Sequence, residues 1–282
     1  MAATLRYPTP KYPRQVRLDT TTDCNAKCLS CHRFLYNRSG FMPFPAIEKI
    51  LKDISAWEYP LQEIVPVNYG EFFLRPDWPE ILKAIETVLP ETSIVIPTNG
   101  STMTKEALEV LAGIKTLAIV NFSLNGLLGV TYTKFMGLPE SNIERIEGAV
   151  RFLQKNRPDI SIWASMVYDP VYQTDKEKDM FINYWGSVMK ASPQILPASN
   201  CGRIKQEIVT DLPCRSIFSD LVIGSDNKLS SCCFDAGFTL DLGEYKGNVL
   251  KAWNNPKLVK LRNTHNEGLR AEIKLCRGCS FA

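Results

Sequence analysis

The sequence predicts an α/β protein in two parts, a larger one over residues 1–200 and a small C-terminal one over 201–282. Two observations carry this. Apolar runs and helical patterns alternate six times between residues 15 and 200, as parallel strands joined by outer helices do. After residue 201 the alternation stops and a hairpin pattern replaces it. Six units are too few to close an eight-stranded barrel, which leaves a partial barrel or a doubly wound open sheet.

Taken in order, "QVRLDTT" (15–21) reads as the first strand and "PAIEKILKDISAW" (45–57) as the first helix, with Ile47, Ile50, Leu51 and Ile54 on one face. The strand "EIVPVN" (63–68) precedes the helix "PEILKAIETVL" (79–89), whose Pro79 suits a first turn. "SIVIPTN" (93–99) leads to "TKEALEVLAG" (104–113), and "TLAIVNFSL" (116–124) to "NIERIEGAVRFLQKN" (142–156). "SIWASMVYD" (161–169) is followed by "DKEKDMFINYWGSVM" (175–189), and "QILPASN" (194–200) closes the series. In the tail, "IFSDLVIGSDNKLSSCCF" (217–234) reads as two strands around a "GSDN" turn, with a short helix near "VLKAWNNPKLVKLRNTH" after it. Either architecture places ligands beyond the carboxyl ends of the strands, where the loops converge.

With 33 basic and 30 acidic residues the net charge is +3, and no lysine- or arginine-rich run marks a nucleic-acid or anionic-membrane surface. The N-terminal "MAATLRYPTPKYPRQVRL" lacks the apolar core of a secretory signal, and no stretch approaches a membrane span. The expectation is a cytoplasmic protein with neither membrane nor nucleic acid among its partners. Nine cysteines in a reducing compartment favour metal or redox-cofactor ligation, and an odd number cannot all pair within one chain.

Cys24, Cys28 and Cys31 stand in C-x3-C-x2-C spacing on the loop after the first strand. Soft thiolates select zinc, Cu(I) or iron–sulfur clusters. A structural zinc wants four ligands where three are local, although His32 follows at once. The competing reading is a four-iron cluster held by three cysteines, with one iron open to a substrate or cofactor.

This motif after a first barrel strand resembles the signature of radical S-adenosylmethionine (SAM) enzymes. The resemblance implies a partial (β/α)6 TIM-like barrel and a [4Fe–4S] cluster whose open iron chelates the amino and carboxylate groups of SAM. An electron, from a donor such as flavodoxin or ferredoxin, would cleave SAM to methionine and a 5′-deoxyadenosyl radical that abstracts a substrate hydrogen. Further segments match in order. "NYGEFFLRP" resembles the family's glycine-glycine-glutamate-proline segment, which implies Gly70 and Glu71 at the methionine amino group; the alternative for Glu71 is a solvent-facing loop position. "PTNGS" (97–101) resembles the third strand end, with Thr98 and Asn99 at the cofactor. "FSLNG" (122–126) resembles the fourth, with Ser123 and Asn125 implied at the SAM carboxylate or ribose. Two residues depart from the pattern. Ser30 replaces the aromatic usual before the third cysteine, with His32 or Phe34 as substitutes, and Tyr69 replaces the first glycine.

"PCRSIFSDLVIGSDNKLSSCC" resembles the auxiliary-cluster extension of the same family, the SPASM domain or its shortened twitch form. Cys214 opens the pattern and Cys232 closes the hairpin. Asn227 stands where a turn glycine is usual, and Asn tolerates the left-handed backbone well. "CRGCSF" resembles the final pair, Cys276 and Cys279. The four thiolates are implied to hold one auxiliary [4Fe–4S] cluster, making two clusters in all, with Cys201 and Cys233 left over. A zinc ribbon is the competing reading of the four.

A fully ligated cluster can accept an electron without binding substrate. The architecture resembles the 2-deoxy-scyllo-inosamine dehydrogenase type, which implies an oxidoreductase acting on a small polar metabolite, alcohol to ketone. Peptide modification (cross-linking, thioether formation or epimerisation) is the alternative, and the 23 residues before Cys24 are too few for the leader-gripping module such enzymes often carry. A non-catalytic, metal-stapled binding protein is the third possibility. Tyr168, Arg203 and Asp235 are candidates for proton transfer, against ordinary hairpin or salt-bridge roles. Cys201 could be a substrate-facing thiol or a small buried hydrophobe.

Overall fold

The computed structural model describes residues 6–36, 40–198 and 211–279. In chain order the elements are β1 (Gln15–Leu18), α1 (Phe44–Ser55), β2 (Glu63–Val65), α2 (Trp78–Val88), β3 (Ser93–Thr98), α3 (Lys105–Gly113) and β4 (Leu117–Ser123). Then come α4 (Gly129–Met136), α5 (Ser141–Asn156), β5 (Ser161–Tyr168), α6 (Asp175–Asn183), β6 (Ser192–Pro197), β7 (Asp220–Ile223), β8 (Leu229–Ser230), α7 (Val249–Trp253) and α8 (Pro256–Asn266). The class is the expected one: a (β/α)6 series followed by a hairpin and helices. The chain packs as two compact units, Met1–Thr22 with His32–Tyr69 and Ser199–Ala282, and Asp23–Cys31 with Gly70–Ala198.

In the first unit β1 lies between two parallel neighbours, β2 (Gln15 opposite Glu63) and β7 (Gln15 opposite Asp220). β8 turns back antiparallel on β7, with Ile223 opposite Leu229. Val16, Leu18, Ile64, Val65, Leu221 and Ile223 are all buried, as parallel strands covered on both faces require. β2 stops before Pro66, which has no N–H for the ladder. The predicted apolar face of α1, Ile47, Ile50, Leu51 and Ile54, is the face it buries. Asn227 adopts φ +64° in the hairpin turn, the left-handed conformation expected of it. Asn255 caps α8 by accepting the Leu258 N–H, with Pro256 in the first turn.

In the second unit β4 runs parallel between β3 and β5, and β6 adds parallel to β5. The register sets Thr98 beside Phe122 and Ser123 beside Ser165, so the carboxyl ends of β3 and β4 come level while β5 runs on to Tyr168. The predicted helix over 175–189 is divided: α6 ends at Asn183 and a π-helical turn, Tyr184–Val188, buries Trp185. Helix α4 is absent from the sequence reading. Its glycine, two threonines and valine are weak helix formers, and the burial of Tyr132, Phe135 and Met136 holds it. Among the described residues no helix is long and apolar enough to cross a membrane.

Candidate functional site

Cys24, Cys28 and Cys31 are half-buried on the irregular loop that follows β1. The Cys31 N–H donates to the Cys28 carbonyl at 3.1 Å, a turn that puts both thiols on one bend. The loop is tied to the C-terminal end of α4: Lys27 N–H donates to Met136 O at 2.8 Å and Leu29 N–H to Phe135 O at 2.9 Å. Gly137 at φ +65° makes that approach possible, since a Cβ there would stand 2.9 Å from Lys27 Cβ. Cys28 Sγ lies 3.5 Å from Met136 Sδ, and the same sulfur accepts from Asn125 Nδ2 at 3.0 Å. Met136, Gly137 and α4 were not foreseen, although "FMGLP", an apolar pair followed by glycine and then proline, is a helix C-terminal signature.

A second tie runs through Glu71, which is buried rather than solvent-facing. Its Oε1 accepts from Thr98 Oγ1 at 2.8 Å and from Phe73 N–H at 3.4 Å, and its Oε2 from Asn99 N–H at 2.7 Å. Its own N–H donates to Asp23 O, the residue before Cys24, at 2.7 Å. Burial raises the carboxyl to about 7 against the pull of the Asn99, Thr98 and Phe73 donors. Asn99 Nδ2 then reaches Asn25 Oδ1 at 2.9 Å and Cys24 Sγ at 3.8 Å. The structure thus brings Glu71, Thr98 and Asn99 together with Cys24, and Asn125 with Cys28 through Met136. Asn125, at φ +54°, also accepts the Val167 N–H on Oδ1. Gly70 and Ser123 are half-buried at the ends of their segments.

Tyr168 ends β5 and donates to Asp175 Oδ1 at 2.9 Å, with Lys178 Nζ 4.5 Å over its ring. Desolvation and the Asp175 hydrogen bond hold its phenol above the ordinary range. Arg203 and Cys201 lie outside the described residues. In the first unit, His32 is buried with Nδ1 3.3 Å from both the Tyr69 hydroxyl and the Phe234 carbonyl, while Phe34 is exposed.

The second cysteine set lies wholly in the first unit. Cys214, Cys232 and Cys276 are half-buried and Cys279 is buried. Arg270, itself buried, donates from Nη1 to Leu212 O at 3.3 Å and from Nη2 to Cys279 O at 3.2 Å, clipping two cysteine-bearing segments together. The Cys214 N–H donates to His265 Nδ1 at 3.1 Å. Burial, aided by Arg270, lowers the His265 imidazolium to about 4, so the ring is neutral. Asp235 is buried and saturated: it accepts from Ser230 Oγ, the Thr239 N–H and hydroxyl, and the Leu240 N–H. It shapes the loop after Cys232.

Both sets offer soft thiol donors on loops that packed elements position, which fits iron–sulfur ligation. Among the described residues no group of three or more His, Cys, Asp or Glu side chains forms a preformed single-ion site, so the assignment rests on spacing and donor chemistry. The radical SAM superfamily model matches residues 18–181, and that of the SPASM iron–sulfur cluster-binding domain matches 214–280. A probable GTP 3′,8-cyclase of Methanococcus maripaludis is 33% identical over 146 residues, 50% of this chain and 46% of the relative. The chain thus spans about half the length of the curated relatives it matches. Among solved structures, BtrN in complex with AdoMet and 2-DOIA aligns with a TM-score of 0.70 at 16% identity, over 95% of this chain and 93% of that one. SuiB of Streptococcus suis bound to precursor peptide SuiA aligns at 0.64 and 16% identity, over 95% and 70%. At such identities the structural likeness speaks for the fold.

Proposed function

The chain belongs to the radical SAM superfamily, and on that premise we propose that it oxidises an alcohol of a small polar metabolite to a ketone. Its cofactors are SAM with the [4Fe–4S] cluster that binds it, and auxiliary iron–sulfur. Cys24, Cys28 and Cys31 would hold the first cluster, and Cys214, Cys232, Cys276 and Cys279 one auxiliary cluster, so residues 1–200 and 201–282 divide the work. When bound, these groups supply a 5′-deoxyadenosyl radical for hydrogen abstraction and a sink for one electron.

The observation that carries the reading is the pair of cysteine sets, three on one loop and four in the tail, each with its own scaffold. Three thiolates leave a coordination place for SAM, and four leave none, which suits electron transfer. Gly70, Glu71, Thr98, Asn99, Ser123 and Asn125 would surround SAM, with Glu71 and Asn99 also stiffening the loop at Cys24. Tyr168, hydrogen-bonded to Asp175, is the described candidate for taking the substrate proton. Flavodoxin or ferredoxin would bring the electron, in the cytoplasm, to an enzyme that needs no membrane and no nucleic acid.

Likeness to SuiB, a structure bound to its precursor peptide, supports a second reading, peptide modification. Anaerobic reconstitution tests the frame: about eight irons per chain and dithionite-dependent 5′-deoxyadenosine are expected. Four irons with a zinc, and no SAM cleavage, would mean a metal-stapled binding protein instead. A substrate panel of polyols, amino sugars, GTP and peptides then separates the readings. A ketone product two mass units below a polyol supports oxidation, whereas turnover of peptide alone overturns it.

A further inference from the structure

We infer that His265 is a positioning residue of the auxiliary cluster, anchoring Cys214 through Nδ1 and offering Nε2–H to a cluster sulfur. The inference rests on the reading that Cys214, Cys232, Cys276 and Cys279 hold that cluster. His265 stands in the last turn of α8 and is fully buried. Because Nδ1 accepts the Cys214 N–H, it carries no proton itself, and the ring proton sits on Nε2. That Nε2–H is buried and has no hydrogen-bond partner among the described residues.

A buried donor left unpaired gives up its hydrogen bond to water with nothing in exchange, so a wholly enclosed imidazole in this tautomer calls for an acceptor beyond the described residues. Beside a cysteine ligand, the acceptor that the proposed site itself supplies is sulfur, as sulfide or thiolate. A hydrogen bond to sulfur favours the more negative, reduced cluster and so raises its potential. Arg270 shares the setting, since it joins the Leu212 and Cys279 carbonyls two residues before one ligand and at another. Partners of this kind orient ligands, and losing one typically weakens a metal site about 10–100-fold.

Two substitutions separate the two jobs. In His265→Asn, Oδ1 takes the place of Nδ1 as acceptor while the Nε2–H disappears; His265→Leu removes both. Each is placed in the 282-residue chain carrying Cys24→Ala, Cys28→Ala and Cys31→Ala, which leaves only the auxiliary cluster. Iron content, the rate of cluster loss to EDTA and an EPR-monitored redox titration are measured. The Asn variant is expected to hold about four irons with a potential shifted below that of its parent. The Leu variant is expected to lose its cluster to chelator about tenfold faster. A parental potential in the Asn variant, or parental cluster lifetime in the Leu variant, overturns the inference. If the parent itself binds no cluster, the ligand reading has failed, and this inference falls with it.

Discussion

Glu71 shows how one side chain can join two segments of a site. Its oxygens take the donors of Thr98, Asn99 and Phe73, and its folded value of about 7 lies above the ordinary 4.5 because burial penalises the charge. The folded state therefore binds this proton more tightly than the unfolded one. The resulting stability is complete below about pH 4.5 and is lost as pH rises through 7, by roughly 3 kcal/mol. Denaturant midpoints of the apo protein should fall between pH 5 and 8, and Glu71→Gln should flatten that slope; a slope of the opposite sign would refute the assignment. Asparagine at 99 is the next link, and Asn99→Ala should release Cys24 and lower iron retention at the first cluster without touching the second. The choice between neighbours in the tail is testable too. Cys232→Ser should lose the auxiliary cluster, whereas Cys233→Ser should keep about eight irons.

Elements carry the next set of consequences. α4 holds the cysteine loop through two main-chain hydrogen bonds at its carboxyl end, and Gly137 admits the loop there. Gly137→Ala should cost about 1–2 kcal/mol in equilibrium unfolding, from strain at φ +65° and the contact with Lys27. In the hairpin, Asn227→Gly should be neutral and Asn227→Val destabilising, because only the latter resists φ +64°. The alternation of strands and helices was legible from periodicity, and so was the turn at Asn227. α4 was not, since eight residues with glycine, valine and two threonines carry little helical signal until Tyr132 and Phe135 are buried. Nor was the π-turn after α6, where a continuous helical pattern hides a wider turn that buries Trp185.

At the scale of the molecule, β7 lies beside β1, so the last third of the chain supplies core to the first strand. A chain cut after residue 200 loses Leu221 and Ile223 from that core and bares the edge of β1. Such a truncation should aggregate or fail to unfold cooperatively, and a soluble fragment with a sharp thermal transition would refute this. The same scale explains what sequence reading could and could not reach at the site. The cysteine spacings, the strand–helix order and the turn-forming asparagine are local properties, written in neighbouring residues, and the sequence by itself determined them. The inward course of Glu71, the tie of Cys28 to Met136, the seat of Cys214 on His265 and the docking of β7 on β1 were decided only in the tertiary structure. Each joins residues from 27 to more than 200 positions apart, and no periodicity along the chain encodes which distant partners burial will bring together.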